Sequence, residues 1–286
     1  MKDKIIARFR NYSILHHLQC TFALLVMACI TLLSDFGLQD ASVAIAKGVL
    51  MQHTAGLPII DISHDIKPFH TGQAAYLLSS AYKNFPVGTC HVLLFDIFTE
   101  TTPRLCLCEY LGHYFLAPDN GLLSSILADT AYDAWQCFEL KKDNTFTDWL
   151  NAAGMIINLL QSQKPGSLNL PPLQLKSSSQ KHNLLTGSNT VSCEVVHIDH
   201  FENVVINITR QQFETYRNSR PFRIVFMGLE EIEEISNSYH DVREGYKLCR
   251  FNSNDHLEIC INRGKAASLF GLRLDGKHNN IKILFE

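Results

Sequence analysis

The stretch LLSDFGLQDASVAIAKGVL, residues 32–50, combines the end of an apolar strand, an acidic turn and a helix. Residues up to Leu33 form a mainly apolar run of strand length, Gly37 permits a turn, and the apolar residues after it recur at helical spacing. Two acidic residues, Asp35 and Asp40, are therefore predicted at the carboxyl end of a buried strand. Ligands collect at that edge of open α/β sheets, because loops converge there and helix N-termini supply backbone donors. An acidic edge suits a polyhydroxyl or cationic ligand better than a phosphate.

Composition favours a two-domain protein of a reducing compartment. The 286 residues are 46% hydrophobic and 19% charged, which is enough for a sizeable core. A net charge of -3 without a dense Lys/Arg stripe argues against nucleic acid as a partner. The nine cysteines show neither a CxxC framework nor zinc-type spacing, so we expect free thiols and a cytoplasmic protein. Cys106 and Cys108 share one strand face, where core packing is favoured over a soft-metal site, and no metal site is predicted.

Residues 1–28 are interpreted as an N-terminal extension. Basic residues precede an apolar run at 22–33, as in a signal peptide, but the run continues into the first strand without a small-residue cleavage site. It is also too short to span a bilayer, so no membrane partner is expected. A start codon assigned too early, with Met27 as the natural first residue, is favoured over export.

The rest of the chain divides into two predicted domains. Strands alternate with helices over residues 29–165, which indicates a layered α/β domain with helices flanking its sheet. Residues 166–188 are rich in proline and serine and are predicted to be a linker. Short strands at turn-sized spacings over 189–286 predict a small all-β domain, as a sandwich or a barrel.

Six sequence blocks occur in one order along both domains. They are SDFGLQD (34–40), DISHDIKPF (61–69), FPVGTCHV (85–92), APDNGLL (117–123), IDHFENVVINI (198–208) and LEICINRGKAASL (257–269). Together they resemble the S-adenosylmethionine (SAM) hydroxide adenosyltransferase family, relatives of the SAM-dependent fluorinase and chlorinase. The resemblance implies an α/β domain joined to a C-terminal β-barrel. It also implies a homotrimer that holds SAM between the N-domain of one subunit and the C-domain of its neighbour, with no cofactor beyond SAM as substrate.

The resemblance carries binding roles to individual residues. Asp35 matches the acid that holds both ribose hydroxyls, since two carboxylate oxygens can accept from a vicinal diol. Asp40 and Asp199 match the acids that meet the methionine ammonium. Phe69 matches an aromatic residue beside the ribose and the sulfonium. The remaining matched binding positions are Thr99, Thr145, Phe146, Phe201 and Asn203 (the adenine-contacting pair), Ser253 and Asn254 (the carboxylate position) and Ala266 (a backbone contact to adenine).

The catalytic positions depart from the family pattern. Its hydrolytic members use an Asp, an Arg and a His to activate water. Here Asp96 matches the first, Arg104 lies one residue beyond the second, and Thr147 replaces the third. Threonine cannot act as a base near neutral pH. Asp96 and Arg104 are predicted to orient the water, although an ion pair between them with a purely structural role is the competing interpretation.

Three functions therefore remain open. The preferred one is a SAM hydrolase that forms adenosine and methionine, and the second is a catalytically degenerate module that binds SAM or adenosine. In the third, the pocket accepts a different nucleoside. A halide nucleophile is disfavoured, because the anionic Asp96 would repel it. His64, in the second block, is interpreted as a loop or core histidine without a catalytic role.

Overall fold

The structure is a computed structural model. It describes residues 27–54, 56–98, 102–127, 131–139, 141, 143–177, 185–187, 189–228, 230–274 and 279–286. Thr99 and residues 1–26, most of the predicted N-terminal extension, lie outside these ranges. The described chain forms two compact units, one of residues 27–69 and 81–177 and one of residues 70–80 and 185–286.

The first unit is built on a mixed six-stranded sheet. Its strands are β1 (Ile30–Ser34), β2 (Ile59–Ser63), β3 (Cys90–Leu94), β4 (Arg104–Tyr110), β5 (His113–Pro118) and β6 (Asp133–Glu139). They lie in the order β2-β1-β3-β5-β4-β6. The pairs β2–β1, β1–β3 and β3–β5 are parallel, whereas β4 runs antiparallel to both of its neighbours. Strands β1 and β3 are buried along their whole length, which is why their sequences are continuous rather than alternating apolar runs.

The described residues up to 177 include four α-helices: α1 (Ser42–His53), α2 (Thr71–Ala81), α3 (Leu122–Leu127) and α4 (Phe146–Leu160). Helix α4 packs against α1, and Gly154 makes this approach possible, since a Cβ there would lie 2.6 Å from the Cδ2 atom of His53. Residues 70–80, most of α2, group with the second unit although the sequence interpretation placed them in the α/β domain. Neither β6 nor α4 was assigned from the sequence.

Part of the predicted linker is attached to the first unit. Residues 165–167 form a 3₁₀ turn, and Leu175 is buried. The backbone N–H of Lys176 donates to Oδ1 of Asp119 over 2.8 Å, and the N–H of Leu173 donates to the carbonyl of Ala134 over 2.8 Å. Residues 171–176 therefore run beside β6 and help to cover it.

The second unit contains two antiparallel sheets. Its strands are β7 (Leu185–Thr186), β8 (Thr190–Cys193), β9 (Val195–Ile198), β10 (Val204–Thr209), β11 (Phe222–Phe226), β12 (Glu230–Ile232), β13 (Lys247–Phe251), β14 (His256–Ile261) and β15 (Ile281–Phe285). One sheet has the order β13-β14-β10-β9 and the other β12-β11-β15-β8-β7. Besides most of α2, the described part of this unit contains the helices α5 (Arg210–Arg217) and α6 (Ala266–Phe270). One apolar core is shared by both sheets.

The predicted barrel is not confirmed. Within the described residues the strands pair as two separate sheets and do not close into one ring. The chain passes between the sheets at Glu194, where β8 ends and β9 begins. The N–H of Glu194 donates to Oδ1 of Asn207 over 2.8 Å, so the backbone polar groups freed at this corner regain partners.

Across the described part of the chain, none of the helices combines the length and the apolar character that a bilayer span requires.

Candidate functional site

The turn after β1 holds Asp35 as the sequence predicts. Gly37 has a φ of 70°, so the glycine supplies the left-handed conformation that the turn needs. Burial raises the pKa of Asp35, and the nearby charge of Asp96 raises it further. Its carboxylate also accepts hydrogen bonds from backbone groups, including those of Phe69 and Asp96, and these hydrogen bonds lower its pKa. The structure thus brings together three predicted site residues from the loops that follow β1, β2 and β3.

Two of these residues have strained backbones. Phe69 has a φ of 64° and Asp96 a φ of 47°, values that non-glycine residues adopt uncommonly. Such strain persists only where the surrounding structure enforces it, and it is enriched at functional sites. The ring of Phe69 is 67% exposed, which leaves it available to a ligand or a partner.

Asp96 is tied to the loop that follows β5. The side-chain amide of Asn120 donates to the carbonyl of Phe95 over 2.8 Å and to that of Asp96 over 3.3 Å. Arg104, the other predicted catalytic residue, pairs with Asp119, its Nη2 lying 2.5 Å from Oδ2. The side chain of Asp119 is only 1% exposed. The structural partner of Arg104 is therefore Asp119, from the APDNGLL block, rather than Asp96.

Asp40 lies at the start of α1. Its Oδ1 accepts from the backbone N–H of Ser42 over 2.8 Å, and this hydrogen bond lowers the pKa of Asp40. The side chain is exposed, so its second oxygen is accessible to a cation.

The Thr145–Phe146 pair begins α4. The hydroxyl of Thr145 and the carboxylate of Asp148 form a capping box, which satisfies backbone N–H groups at the helix start. The ring of Phe146 meets that of Phe36 edge to face, with centroids 5.3 Å apart. Phe146 therefore packs against the residue that follows Asp35. Thr147, which replaces the family histidine, is exposed in the first turn of α4.

In the second unit the predicted adenine and ammonium residues share one loop between β9 and β10. Asp199 accepts the backbone N–H of Asn203 at Oδ1 over 2.8 Å and its side-chain amide at Oδ2 over 2.9 Å. Asn203 is 5% exposed, whereas Phe201 at the loop tip is 72% exposed. Asp199, Phe201 and Asn203 thus lie together on this loop.

The same loop is attached to α6, which begins at Ala266. Glu202 accepts the N–H of Ala267 at its carbonyl over 3.0 Å and the N–H of Ser268 at its side chain over 2.9 Å. Lys265 adds an ion pair with Glu202 of 2.8 Å, and these contacts lower the pKa of Glu202 to about 2, led by the Lys265 hydrogen bond. Ala266 is therefore placed beside the loop that carries the adenine-contacting pair.

Ser253 and Asn254 form a separate turn between β13 and β14. Oδ1 of Asn252 accepts the N–H groups of Asn254 and His256, over 2.9 and 3.1 Å. Ser253 is exposed on this turn.

A further set of buried and half-buried polar residues was given no functional role from the sequence. Tyr239 donates to Oε1 of Glu258 over 2.9 Å, and Arg250 donates to the same oxygen over 3.0 Å. In the first unit, Ser34 and His64 lie 2.6 Å apart between side-chain atoms and are both buried. His64 could have been found from its place in DISHD directly after a strand. Nothing in the sequence spacing connects Tyr239 with Glu258. Among the described residues, no cluster of three or more His, Cys, Asp or Glu side chains could hold a metal ion.

Comparison with known proteins matches both units to one family. The model of the SAM hydroxide adenosyltransferase N-terminal domain matches residues 30–156, and that of the C-terminal domain matches residues 193–278. A protein of Methanocaldococcus jannaschii named (R)-S-adenosyl-L-methionine hydrolase is 26% identical over 260 residues, 86% of this chain and 93% of that protein. A protein of the same name from Thermus thermophilus is 26% identical over 254 residues, 84% of this chain and 94% of that protein.

More distant likenesses agree with this assignment. A fluorinase of Actinopolyspora mzabensis is 25% identical over 126 residues, 36% of this chain and 42% of the fluorinase. An uncharacterized conserved protein of Thermotoga maritima has the same fold, with a TM-score of 0.74, 24% identity and coverage of 90% of this chain and 100% of that one. Since the family models match most of both units in the expected order, the chain belongs to the SAM hydroxide adenosyltransferase family.

Proposed function

We propose that this protein hydrolyses SAM to adenosine and L-methionine. Water attacks C5′ of the ribose, the C5′–S bond breaks with its electron pair passing to sulfur, and the water proton is released. The leaving methionine is a neutral thioether, so the reaction requires no general acid. The protein must hold the ribose, orient the attacking water and exclude competing solvent.

The observation that carries the proposal is the environment of Asp35. Its carboxylate is partly buried, is held by backbone donors of two neighbouring loops and lies near the charge of Asp96. A fixed carboxylate suits a vicinal diol, which offers two O–H donors, and an adjacent acid suits a sulfonium. The names of the relatives from Methanocaldococcus jannaschii and Thermus thermophilus support the same substrate.

The roles of the remaining residues follow the family pattern. Asp40 and Asp199 hold the ammonium, Phe69 lies beside the ribose, and Asp96 with Arg104 orients the water. The other proposed contacts are those of Phe201 and Asn203 with adenine, Ala266 through its backbone, Ser253 and Asn254 with the carboxylate, and Thr99, Thr145 and Phe146 with the substrate.

A homotrimer with SAM at the subunit interface completes the proposal. It is supported by large apolar side chains that are exposed on site loops of both units: Phe69 is 67%, Phe98 56% and Phe201 72% exposed. Exposed apolar groups at a predicted site are suited to cover by a ligand and a partner chain. A cytoplasmic location is supported by the thiols, since every described cysteine is free. The C-terminal unit resembles the barrel that the family resemblance implies only in that two sheets enclose one core.

A second function is favoured by two observations at the catalytic positions. Thr147 cannot replace the family histidine as a base, and Arg104 already neutralises Asp119. General-base assistance contributes about 100- to 10,000-fold in rate, so its loss could leave a module that binds SAM or adenosine without turning it over.

One experiment separates the two functions. The purified protein is incubated with SAM as both sulfonium epimers, since the relatives' names specify the (R) form, and adenosine and methionine are followed by chromatography. Asp35→Asn and Asp96→Asn are compared with Asp65→Asn, which removes an exposed acid near the same sheet edge.

If the protein hydrolyses SAM, the wild-type protein and Asp65→Asn form adenosine, whereas Asp96→Asn forms none. Calorimetric binding of SAM or adenosine without product identifies the binding module instead. If the wild-type protein neither binds nor converts SAM, both functions are wrong.

A further inference from the structure

His64 occupies a buried position directly behind the turn that carries Asp35. Its Nδ1 lies 2.6 Å from the hydroxyl of Ser34, the last residue of β1. Its backbone carbonyl accepts the N–H of Gly37 over 2.8 Å. The Ser34 hydroxyl in turn lies 3.4 Å from the backbone nitrogen of Phe36. His64 therefore contacts the turn at Ser34 through its ring and at Gly37 through its carbonyl, with Asp35 between them.

The charges around the ring determine where its proton lies. Nε2 of His64 is 3.1 Å from Oδ1 of Asp61, whose other oxygen pairs with Lys47 on α1 at 2.6 Å. The Nε2 atom has no well-aligned hydrogen bond, so its interaction with Asp61 is mainly electrostatic. Because a carboxylate only accepts, we assign the proton of the neutral ring to Nε2, the nitrogen nearer to Asp61. Nδ1 is then the acceptor, the Ser34 O–H donates to it, and the Ser34 oxygen remains free to accept from Phe36.

We propose that His64, with Ser34 as its contact, is a positioning residue for the ribose-binding carboxylate of Asp35. The proposal rests on the proposed function, because it assigns to the turn the task of presenting Asp35 to the ribose. A partly buried carboxylate can bind a diol well only if its orientation is fixed in advance, since any rotation weakens one of the two hydrogen bonds. The connected set of Lys47, Asp61, His64 and Ser34 supplies that rigidity from α1, β2 and the loop after it.

The protein contains a matched control for this role. His91 forms the same type of buried bond with the same strand, its Nδ1 lying 2.7 Å from the hydroxyl of Thr31. Thr31 is near the start of β1 and Ser34 is at its end, next to the turn. Loss of either histidine removes a buried hydrogen bond to β1, whereas only His64 contacts the turn of Asp35.

The test compares His64→Leu, His64→Asn, Ser34→Ala and His91→Leu. Calorimetry with adenosine, steady-state adenosine formation from SAM, and urea unfolding are measured for each. His64→Leu and Ser34→Ala are expected to raise the Kd for adenosine and the KM for SAM by about tenfold, with kcat within about threefold of wild type. His64→Asn, whose amide can again bond to Ser34, should recover part of the loss. His91→Leu should lose stability but keep the wild-type Kd.

Ser34→Ala keeps the test decisive if His64→Leu does not fold, because it removes the same bond with a small change in volume. Wild-type affinity in Ser34→Ala and His64→Leu would overturn the proposal, as would an equal loss in His91→Leu. Absence of SAM and adenosine binding in the wild-type protein would instead refute the proposed function.

Discussion

Asp199 uses both of its carboxylate oxygens to hold Asn203, one through the backbone N–H at 2.8 Å and one through the side-chain amide at 2.9 Å. Because a carboxylate only accepts, the amide atom that faces Asp199 must be Nδ2. The hydroxyl of Tyr239, 3.5 Å from the same Nδ2, donates to Glu258 and can only accept from Asn203. In the described residues no protein group donates to Oδ1 of Asn203, so this oxygen is available to accept from a ligand such as the 6-amino group of adenine.

The orientation of this amide should determine the choice between adenosine and inosine. In Asp199→Asn, the carbonyl oxygen of the new side chain must still accept the backbone N–H of Asn203. Its NH₂ group then faces the side-chain amide of Asn203. This arrangement favours the opposite orientation of that amide, with Oδ1 of Asn203 turned toward residue 199. We expect the preference for adenosine over inosine to fall at least tenfold, measured by calorimetry with the two nucleosides, which lack the ammonium group. Glu244→Gln, an exposed charge of the same unit, should keep the preference. An unchanged preference in Asp199→Asn would show that the amide orientation is set elsewhere.

Phe201 should contribute to binding and little to folding. Its ring is 72% exposed, so Phe201→Ala is expected to change the free energy of unfolding by less than about 0.5 kcal/mol. Stacking of a base on an aromatic ring is worth about 1–3 kcal/mol, so the Kd for adenosine should rise about 5- to 150-fold. Leu269→Ala, a 69% exposed apolar residue on α6, is the matched control for calorimetry and urea unfolding. Equal affinities for the two variants would remove Phe201 from the site.

Arg104 should be needed for stability through Asp119. Arg104→Met leaves a carboxylate that is 1% exposed without its cation, and we expect a loss of about 2 to 3 kcal/mol in urea unfolding. Arg104→Lys should recover part of it. Arg263→Met breaks an exposed pair with Glu244 and should cost less than about 0.5 kcal/mol. If Arg104→Met retains full stability and loses only adenosine formation, the residue acts in catalysis and the structural role is wrong.

His91 and His113, two buried histidines of the first unit, should make folding sensitive to acid. Burial, followed by the proximity of His113, lowers the pKa of His91 to about 3, and burial lowers that of His113. Below the ordinary value of 6.5 the unfolded chain binds protons that the folded protein does not, so stability is complete above that pH and falls as the pH decreases toward 3. Between pH 6.5 and about 3, His91 contributes a slope of up to about 1.4 kcal/mol per pH unit.

His91→Phe keeps an aromatic ring beside Phe115 and removes one titrating group. The decrease in unfolding free energy between pH 6 and 4 should become shallower by about 1.4 kcal/mol per pH unit, as measured by urea unfolding across that range. His240→Gln, at an exposed histidine, should keep the wild-type slope. A wild-type slope in His91→Phe would mean that His91 is protonated in the folded protein.

Local patterns were sufficient for much of the fold. The apolar run that ends at Leu33 predicted the buried strand β1, and the helical spacing after Gly37 predicted α1. Helix α4 was missed, although Thr145 and Asp148 at its start form a capping box that the sequence displays. The barrel was not confirmed, because strand lengths and spacings do not state which strands pair, and pairing decides between a closed ring and two sheets.

The site shows the same division between sequence and structure. Asp35, Asp199, Phe201 and Asn203 were predicted as site residues because the short motifs that carry them resemble those of the family. The partner of Arg104 could not, because Asp119 reaches it across an antiparallel strand pair that only the folded sheet creates. The proximity of Asp96 to Asp35 arises in the same way, from the pairing of β1 with β3.

The sequence by itself thus determined the family, the order of the two domains and the residue types at the carboxyl end of β1, because these reside in local patterns along the chain. Tertiary structure alone decided which charges are paired, which side chains are buried and which hydrogen bonds hold the turn of Asp35. Those properties depend on distances between residues far apart in the chain, such as Ser34 and His64, and strand pairing sets those distances.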